Sequence, residues 1–131
     1  MSLDKISETV RFGLSYERMR VEVASYNLAI SNLALKSGTP STVQRVAVPS
    51  GFFQHMQGKP IVITESVEER LQVDHSHPLA DEKGLVHYPK VDAAKEMATL
   101  VSATRAYEAN IRAYNSLRAM TLKAFEIGKQ T

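Results

Sequence analysis

The sequence has no cysteine. That excludes disulfides, thiolate metal sites and thiol nucleophiles together. It leaves the compartment open, because a thiol-free chain suits the cytosol and an extracellular assembly equally. No run of about 18 apolar residues occurs, so nothing reads as a membrane-spanning helix. The opening stretch MSLDKISETVRFGLSYERMR is too charged to hold the apolar core of a cleavable signal peptide. The glycine-rich and serine-elbow patterns of phosphate binding and acyl transfer are missing as well. An excess of one charge is lacking too. Sixteen Lys and Arg stand against 14 Asp and Glu, a net charge of +2 spread evenly along the chain. That is far from the basic footprint of a nucleic-acid binder, and no segment is an electrostatic tail.

What is present is a helix–β–helix pattern within one domain's worth of chain, 131 residues. Phe12, Tyr16, Met19, Val23, Tyr26, Ile30 and Leu33 are spaced alternately by four and three, which keeps one stripe of a helix apolar. Val10, Leu14, Val21 and Leu28 form a second stripe, so this helix is expected to meet two neighbours. The spacing predicts a helix through residue 36, ended by Gly38 as a C-cap and by Pro40.

A second helix is predicted over 92–131, with Asp92 as its N-cap and Gly128 near its close. Its seam runs Met97, Leu100, Thr104, Tyr107, Ile111, Tyr114, then Leu117, Met120, Ala124 and Ile127. Two consecutive steps of three around Leu117 predict a stammer-like phase shift near Arg118. Seven alanines, among them Ala103 and Ala106, favour close helix approach over a ligand cavity.

Residues 37–91 lose the helical period. TVQRVAV (42–48), KPIVITE (59–65) and GLVHYP (84–89) are candidate strands, punctuated by Pro49, Gly51, Gly58, Pro60, Pro78, Gly84 and Pro89. The expected fold is mainly α with a small β insert. Segments 1–36 and 92–131 pair as an antiparallel, coiled-coil-like hairpin flanking an irregular, β-rich middle. Two helices of roughly 30 residues reach about 45 Å each. A small insert cannot cover that length, so neighbouring copies are expected to complete the core.

Chemistry is sparse. His75 and His77, with Asp74 and Asp81 nearby, form an H-x-H pair without an identifiable third metal ligand; exposed loop histidines are the expectation. The pairs Glu68–Glu69 and Asp81–Glu82 sit in no apolar run that would shift a pKa, and solvated charge is expected. Arg105, Arg112, Arg118 and Lys123 decorate the second helix, with Glu108 placed to pair with Arg112 at i,i+4. No catalytic residue, metal, cofactor, nucleic-acid partner or membrane insertion is expected.

The stretch HPLADEKGLVHYPKVDAAKEMATLVSATRAYEANIRAYNSLRAMTLKAFEIGK (77–129) closely resembles the C-terminal half of bacterial flagellar basal-body rod proteins. His77, Pro78, Ala80, Gly84, Val86, Pro89 and Val91 form a lead-in similar to the proximal-rod type. Glu96, Met97, Ala103 and the run Arg105, Ala106, Tyr107, Glu108, Ala109, Asn110 form an element shared more widely among rod, hook and related axial proteins. In YNLAISNLALKSGTP (26–40), Asn32, Leu33, Ala34 and Thr39 fit the family's N-terminal pattern, while Leu35 stands where that pattern has a second asparagine.

The resemblance implies a structural, non-enzymatic subunit exported through the flagellar type III channel without a cleaved signal. Its terminal helices would assemble with other copies and other rod subunits into a helical tube across the periplasm that transmits torque. The alternatives are another axial protein of a different rod type, or a soluble helical-hairpin adaptor. The residues expected at subunit interfaces are the N-terminal stripe Phe12 to Leu33 and, on the second helix, Met97, Leu100, Tyr107, Ile111, Tyr114, Leu117, Met120 and Ile127. Tyr107, Ile111 and Tyr114 are the expected anchors.

Overall fold

The structure is a computed structural model that describes residues 3–48 and 59–130. The expected punctuation at Pro49, Gly51 and Gly58, and the outermost residues of both expected helices, lie outside them. The element order is α1 (Leu3–Ile30), β1 (Thr42–Ala47), β2 (Ile61–Ser66), β3 (Glu69–Val73), β4 (Leu85–Pro89) and α2 (Ala93–Lys129). The two helices pack on each other and β1 packs on α1, so the fold is mainly α with two small sheets, as its sequence pattern predicts.

Both helices begin and end for local reasons. Asp92 caps α2 as expected, its carboxylate accepting from the Lys95 amide at 3.1 Å. At the other end Gly128 does not close the helix. It lies inside α2, which runs to Lys129, and Gln130 caps it with an ordinary right-handed φ of −85°. Helix α1 stops at Ile30, six residues before the predicted Lys36. Past Ile30 the Ser31 and Leu33 amides still bond back to Asn27 and Ile30, but the Leu35 amide turns away and donates to the His87 carbonyl of β4 at 2.7 Å. Gly38 is therefore a turn residue, with φ +83°, and not a helix cap.

The insert is two antiparallel hairpins. Strands β1 and β2 pair from Thr42↔Ser66 to Ala47↔Ile61, and β3 and β4 pair from Glu69↔Pro89 to Val73↔Leu85. The Val67 amide donates to the Ser41 carbonyl (3.0 Å) and the Ser41 hydroxyl to the Glu68 carbonyl (3.3 Å), joining the hairpins at their bases. Three strands fall where the sequence pattern puts them. The fourth, β3, was not foreseen; all five of its residues are exposed, so no alternation marks it.

The core is small. Val23, Ala24, Val43, Val86 and Ala103 are the buried apolar residues among those described, against sixteen exposed large ones. The chain exposes 9668 Å², whereas a compact monomer of 14.5 kDa would expose about 6,900 Å².

Candidate assembly interface

Three contacts fix how α1 and α2 lie against each other. Gly13 faces Asn110, Asn27 bonds Glu96, and Asp4 and Ser7 share a groove with Thr121 and Leu122. The helices are antiparallel and in constant register. On α1 the inward line is Ile6, Val10, Gly13, Glu17, Arg20, Ala24 and Asn27, at alternating steps of four and three. On α2 it is Glu96, Leu100, Ala103, Tyr107, Asn110, Tyr114, Leu117 and Thr121, again in steps of four and three. That line passes from Leu117 to Thr121 without a break, so the predicted phase shift near Arg118 does not exist.

The axis of contact is thus small and polar at its centre and apolar at its sides. A Cβ on Gly13 would come within 3.0 Å of the Asn110 amide nitrogen, so a larger residue here would require the Asn110 side chain to give by a few tenths of an ångström. Glu17 and Arg20 pair at 2.8 Å and are largely shielded, at 13% and 26% side-chain exposure. Arg20 also lies over the Tyr16 ring at 5.8 Å, and Tyr16 stacks on Phe12.

At the insert end, Asn27 is fully buried and serves three elements. Its side-chain oxygen accepts from the Gln44 amide (2.9 Å), and its amide nitrogen donates to the Gln44 carbonyl (2.9 Å) and to Glu96 Oε1 (3.2 Å). Glu96, also buried, lies 3.9 Å from Arg45, which pairs with Glu65 at 2.7 Å. Asn27 satisfies β1 as a neighbouring strand would, while holding α2. Periodicity of apolar residues gave no signal for it.

The residues expected at subunit interfaces fall into two groups. Val23 is buried, and Phe12, Tyr16, Met19, Ile30, Leu100, Tyr107, Tyr114 and Leu117 are half-buried within this chain's own helical pair or on its flanks. Tyr26, Leu33, Met97, Ile111, Met120 and Ile127 are exposed. Val101, Leu122 and Phe125 join the exposed group, and sequence reasoning missed them; Phe125 is 67% exposed, the same as Val73. The signal available for Leu122 and Phe125 was their i,i+3 spacing off the main stripe. Of the family-pattern residues, Asn32, Leu33, Thr39, Arg105, Glu108 and Ala109 are exposed; Ala34, Ala106, Tyr107 and Asn110 are half-buried. Glu108 and Arg112 approach to 3.9 Å, as their spacing predicts.

Helix α2 outruns its partner. With Gly13 level with Asn110, Leu3 is level with about Met120, and roughly the last two turns of α2 extend past it by ~13 Å. Ala124 continues the inward line there with no described residue of α1 opposite. Leu122, Phe125 and Ile127 surround it, exposed at 57%, 67% and 64%.

Away from the helices, the loop carboxylates and histidines are more engaged than expected. Asp81 is no freely solvated charge: Oδ1 accepts from the Lys83 and Leu85 amides, and Oδ2 bonds His87. These bonds, the Leu85 amide first and His87 next, hold its carboxyl below the usual 3.8. Asp74 is lowered likewise, first by the Ser76 hydroxyl and then by the Ser76 amide. His77 Nδ1 accepts from the Leu79 amide at 3.0 Å, and the His75 ring occupies the space beside Gly84 that a Cβ would need. Among the described residues no three His, Asp or Glu are grouped to hold a metal, and no helix is long and apolar enough to cross a membrane.

Residues 82–127 match the family described as flagellar basal body rod FlgEFG protein C-terminal. Over nearly its whole length the chain is similar to flagellar basal-body rod proteins named FlgC. The Yersinia enterocolitica protein is 32% identical, with 98% of this chain and 100% of the relative covered. The Aquifex aeolicus protein is 29% identical over 89% and 90%. The Bacillus subtilis protein reaches 48% identity over 51% of this chain and 45% of its own length. The C-terminal match is to a family described for rod proteins FlgEFG, and these end-to-end similarities are to proteins named FlgC. The chain therefore belongs to the FlgC family of flagellar basal-body rod proteins.

Proposed function

We propose that the chain is a structural subunit of the flagellar basal-body rod, of the proximal type. It assembles through its terminal helices with copies of itself and with other rod subunits into a helical tube that transmits torque. The observation that carries this reading is the apolar surface left on α2: Met97, Val101 and Ile111 along its length, and Leu122, Phe125 and Ile127 toward its C-terminal end. Fully burying one such side chain contributes about 1.5–3 kcal/mol. The patch at the start of α2 and the patch at its end are different surfaces. A contact between unlike patches is heterologous and generates open helical assemblies instead of closed dimers.

Within this reading, Tyr107 and Tyr114 stiffen the helical pair, and the exposed residues meet the neighbours. The work is mechanical, not catalytic. Export through the flagellar type III apparatus without a cleaved signal, and a periplasm-spanning location, complete the proposal.

The test replaces both Leu122 and Phe125 by Lys in a bacterium lacking its own copy of the gene. Circular dichroism of the purified variant should match the parent, while isolated hook–basal bodies should lack the subunit and motility should be lost. Normal incorporation and swimming would overturn the proposal. A discrete stoichiometric complex in place of a polymer would favour an adaptor instead.

A further inference from the structure

His87 sits on β4 with a carboxylate at each ring nitrogen. Nδ1 is 2.5 Å from Glu69 Oε2 on β3, and Nε2 is 3.0 Å from Asp81 Oδ2 in the turn between β3 and β4. A neutral imidazole has one N–H, so its other nitrogen would present a lone pair to a carboxylate. Only the imidazolium donates to both. Glu69 is reached diagonally across the hairpin, since the residue directly opposite His87 is Leu71.

The same residue is a backbone junction. Its carbonyl accepts from the Leu35 amide of the connector that follows α1, and Asp81 Oδ1 accepts from the Leu85 amide beside it. The hairpin and its turn therefore meet at one side chain that is 23% exposed, and the connector meets the main-chain carbonyl of the same residue.

We propose that His87 is a proton-operated clasp, holding the β3–β4 turn and the α1–β1 connector in place while its imidazolium bridges Glu69 and Asp81, and loosening both when the ring loses its proton. The charged groups around it are Glu69 from β3 and Asp81, Glu82 and Lys83 from the turn; the connector presents Ser37 to the same groove. Arg70, next to Glu69, serves the opposite face, where it lies over Tyr88 and donates to the Ser31 carbonyl. Two carboxylates at hydrogen-bond distance outweigh the nearby ammonium.

The bond to Asp81, then that to Glu69, raises the His87 pKa above the usual 6.5. A raised folded-state pKa gives a contribution that is complete below 6.5 and is lost as pH rises through the folded value. The clasp is thus closed in acid and opens on the alkaline side.

The test uses the full chain and two readouts. The His87 ring is titrated by NMR, and amide exchange at Leu85 and Leu35, corrected for intrinsic rates, is followed across the same pH range. The ring should titrate above 6.5, and protection of both amides should fall severalfold through that midpoint. Glu69→Gln and Asp81→Asn should each lower the midpoint, and His87→Gln should make exchange at Leu85 independent of pH. A ring that titrates at or below 6.5, or protection that stays flat through the titration, overturns the proposal. Should a variant fail to fold, the two measurements on the parent chain still decide.

Discussion

The two ends of the helical pair are built differently. At the insert end, α1, α2 and β1 form three layers, with Ala24, Asn27, Ala103 and Glu96 buried between them. At the far end the last turns of α2 have no described residue of α1 opposite them, and Leu122, Phe125 and Ile127 are exposed. One end is a finished core in miniature; the other is half of an interface. Local stability in a protein follows buried contact, so protection is expected to fall along the hairpin from Asn27 toward Phe125.

The contrast breaks hardest at Asn27. Replacing it by Leu leaves the Gln44 amide and carbonyl without their side-chain partner and leaves the buried Glu96 with only the longer contact to Arg45, around a side chain that is itself fully buried. Buried unsatisfied groups cost about 1–3 kcal/mol each, so Asn27→Leu should destabilise the chain by roughly 3 kcal/mol. Thermal denaturation followed at 222 nm should show a Tm lower by roughly 10 °C. An unchanged Tm would mean that the insert end is no more finished than the other.

That asymmetry was only partly legible in the sequence. The helices could be read from the four–three alternation of large apolar residues, and the pairing of the insert from β-branched runs. The contact axis could not be read in the same way. Phe12, Met19 and Ile30 mark a flank of α1, while the line that faces α2 holds Gly13, Glu17, Arg20, Ala24 and Asn27. Close approach demands small or mutually paired side chains at the centre, and a search for large apolar residues passes over them. The same bias put a phase shift at Arg118 by counting Met120, which is 63% exposed, in place of half-buried Thr121.

Residues 31–36 misled for a related reason. Leu33 and Leu35 continue an apolar rhythm, but Leu35 is used as a strand-like partner of His87. Strand β3 carries Glu69, Arg70 and Gln72 on two exposed faces, and no pattern of burial exists there to be read.

A smaller effect sharpens the comparison at Ala103. This residue is fully buried on the α2 side, one helical step from Leu100 and Tyr107. Ala103→Leu inserts three carbons where the helices touch, and overpacking of this kind costs about 1–3 kcal/mol. Ala109→Leu, on the exposed face of the same helix, should leave Tm within the scatter of the parent. Equal losses at both positions would erase the distinction between inner and outer faces.

The smallest expected effect on the free chain falls at Phe125, and it has the opposite sign from its effect on assembly. With 67% of the residue exposed, Phe125→Lys removes little contact within the chain. Lysine has the better helix propensity, and a cation in the last turns of a helix meets the negative end of the dipole, a gain of about 0.3–1 kcal/mol. The isolated variant should therefore be as stable as the parent or slightly more so by chemical denaturation, while incorporation into rods falls. A residue that mattered to its own fold would lose in both measurements. A residue that waits for a neighbour loses only where the neighbour is present.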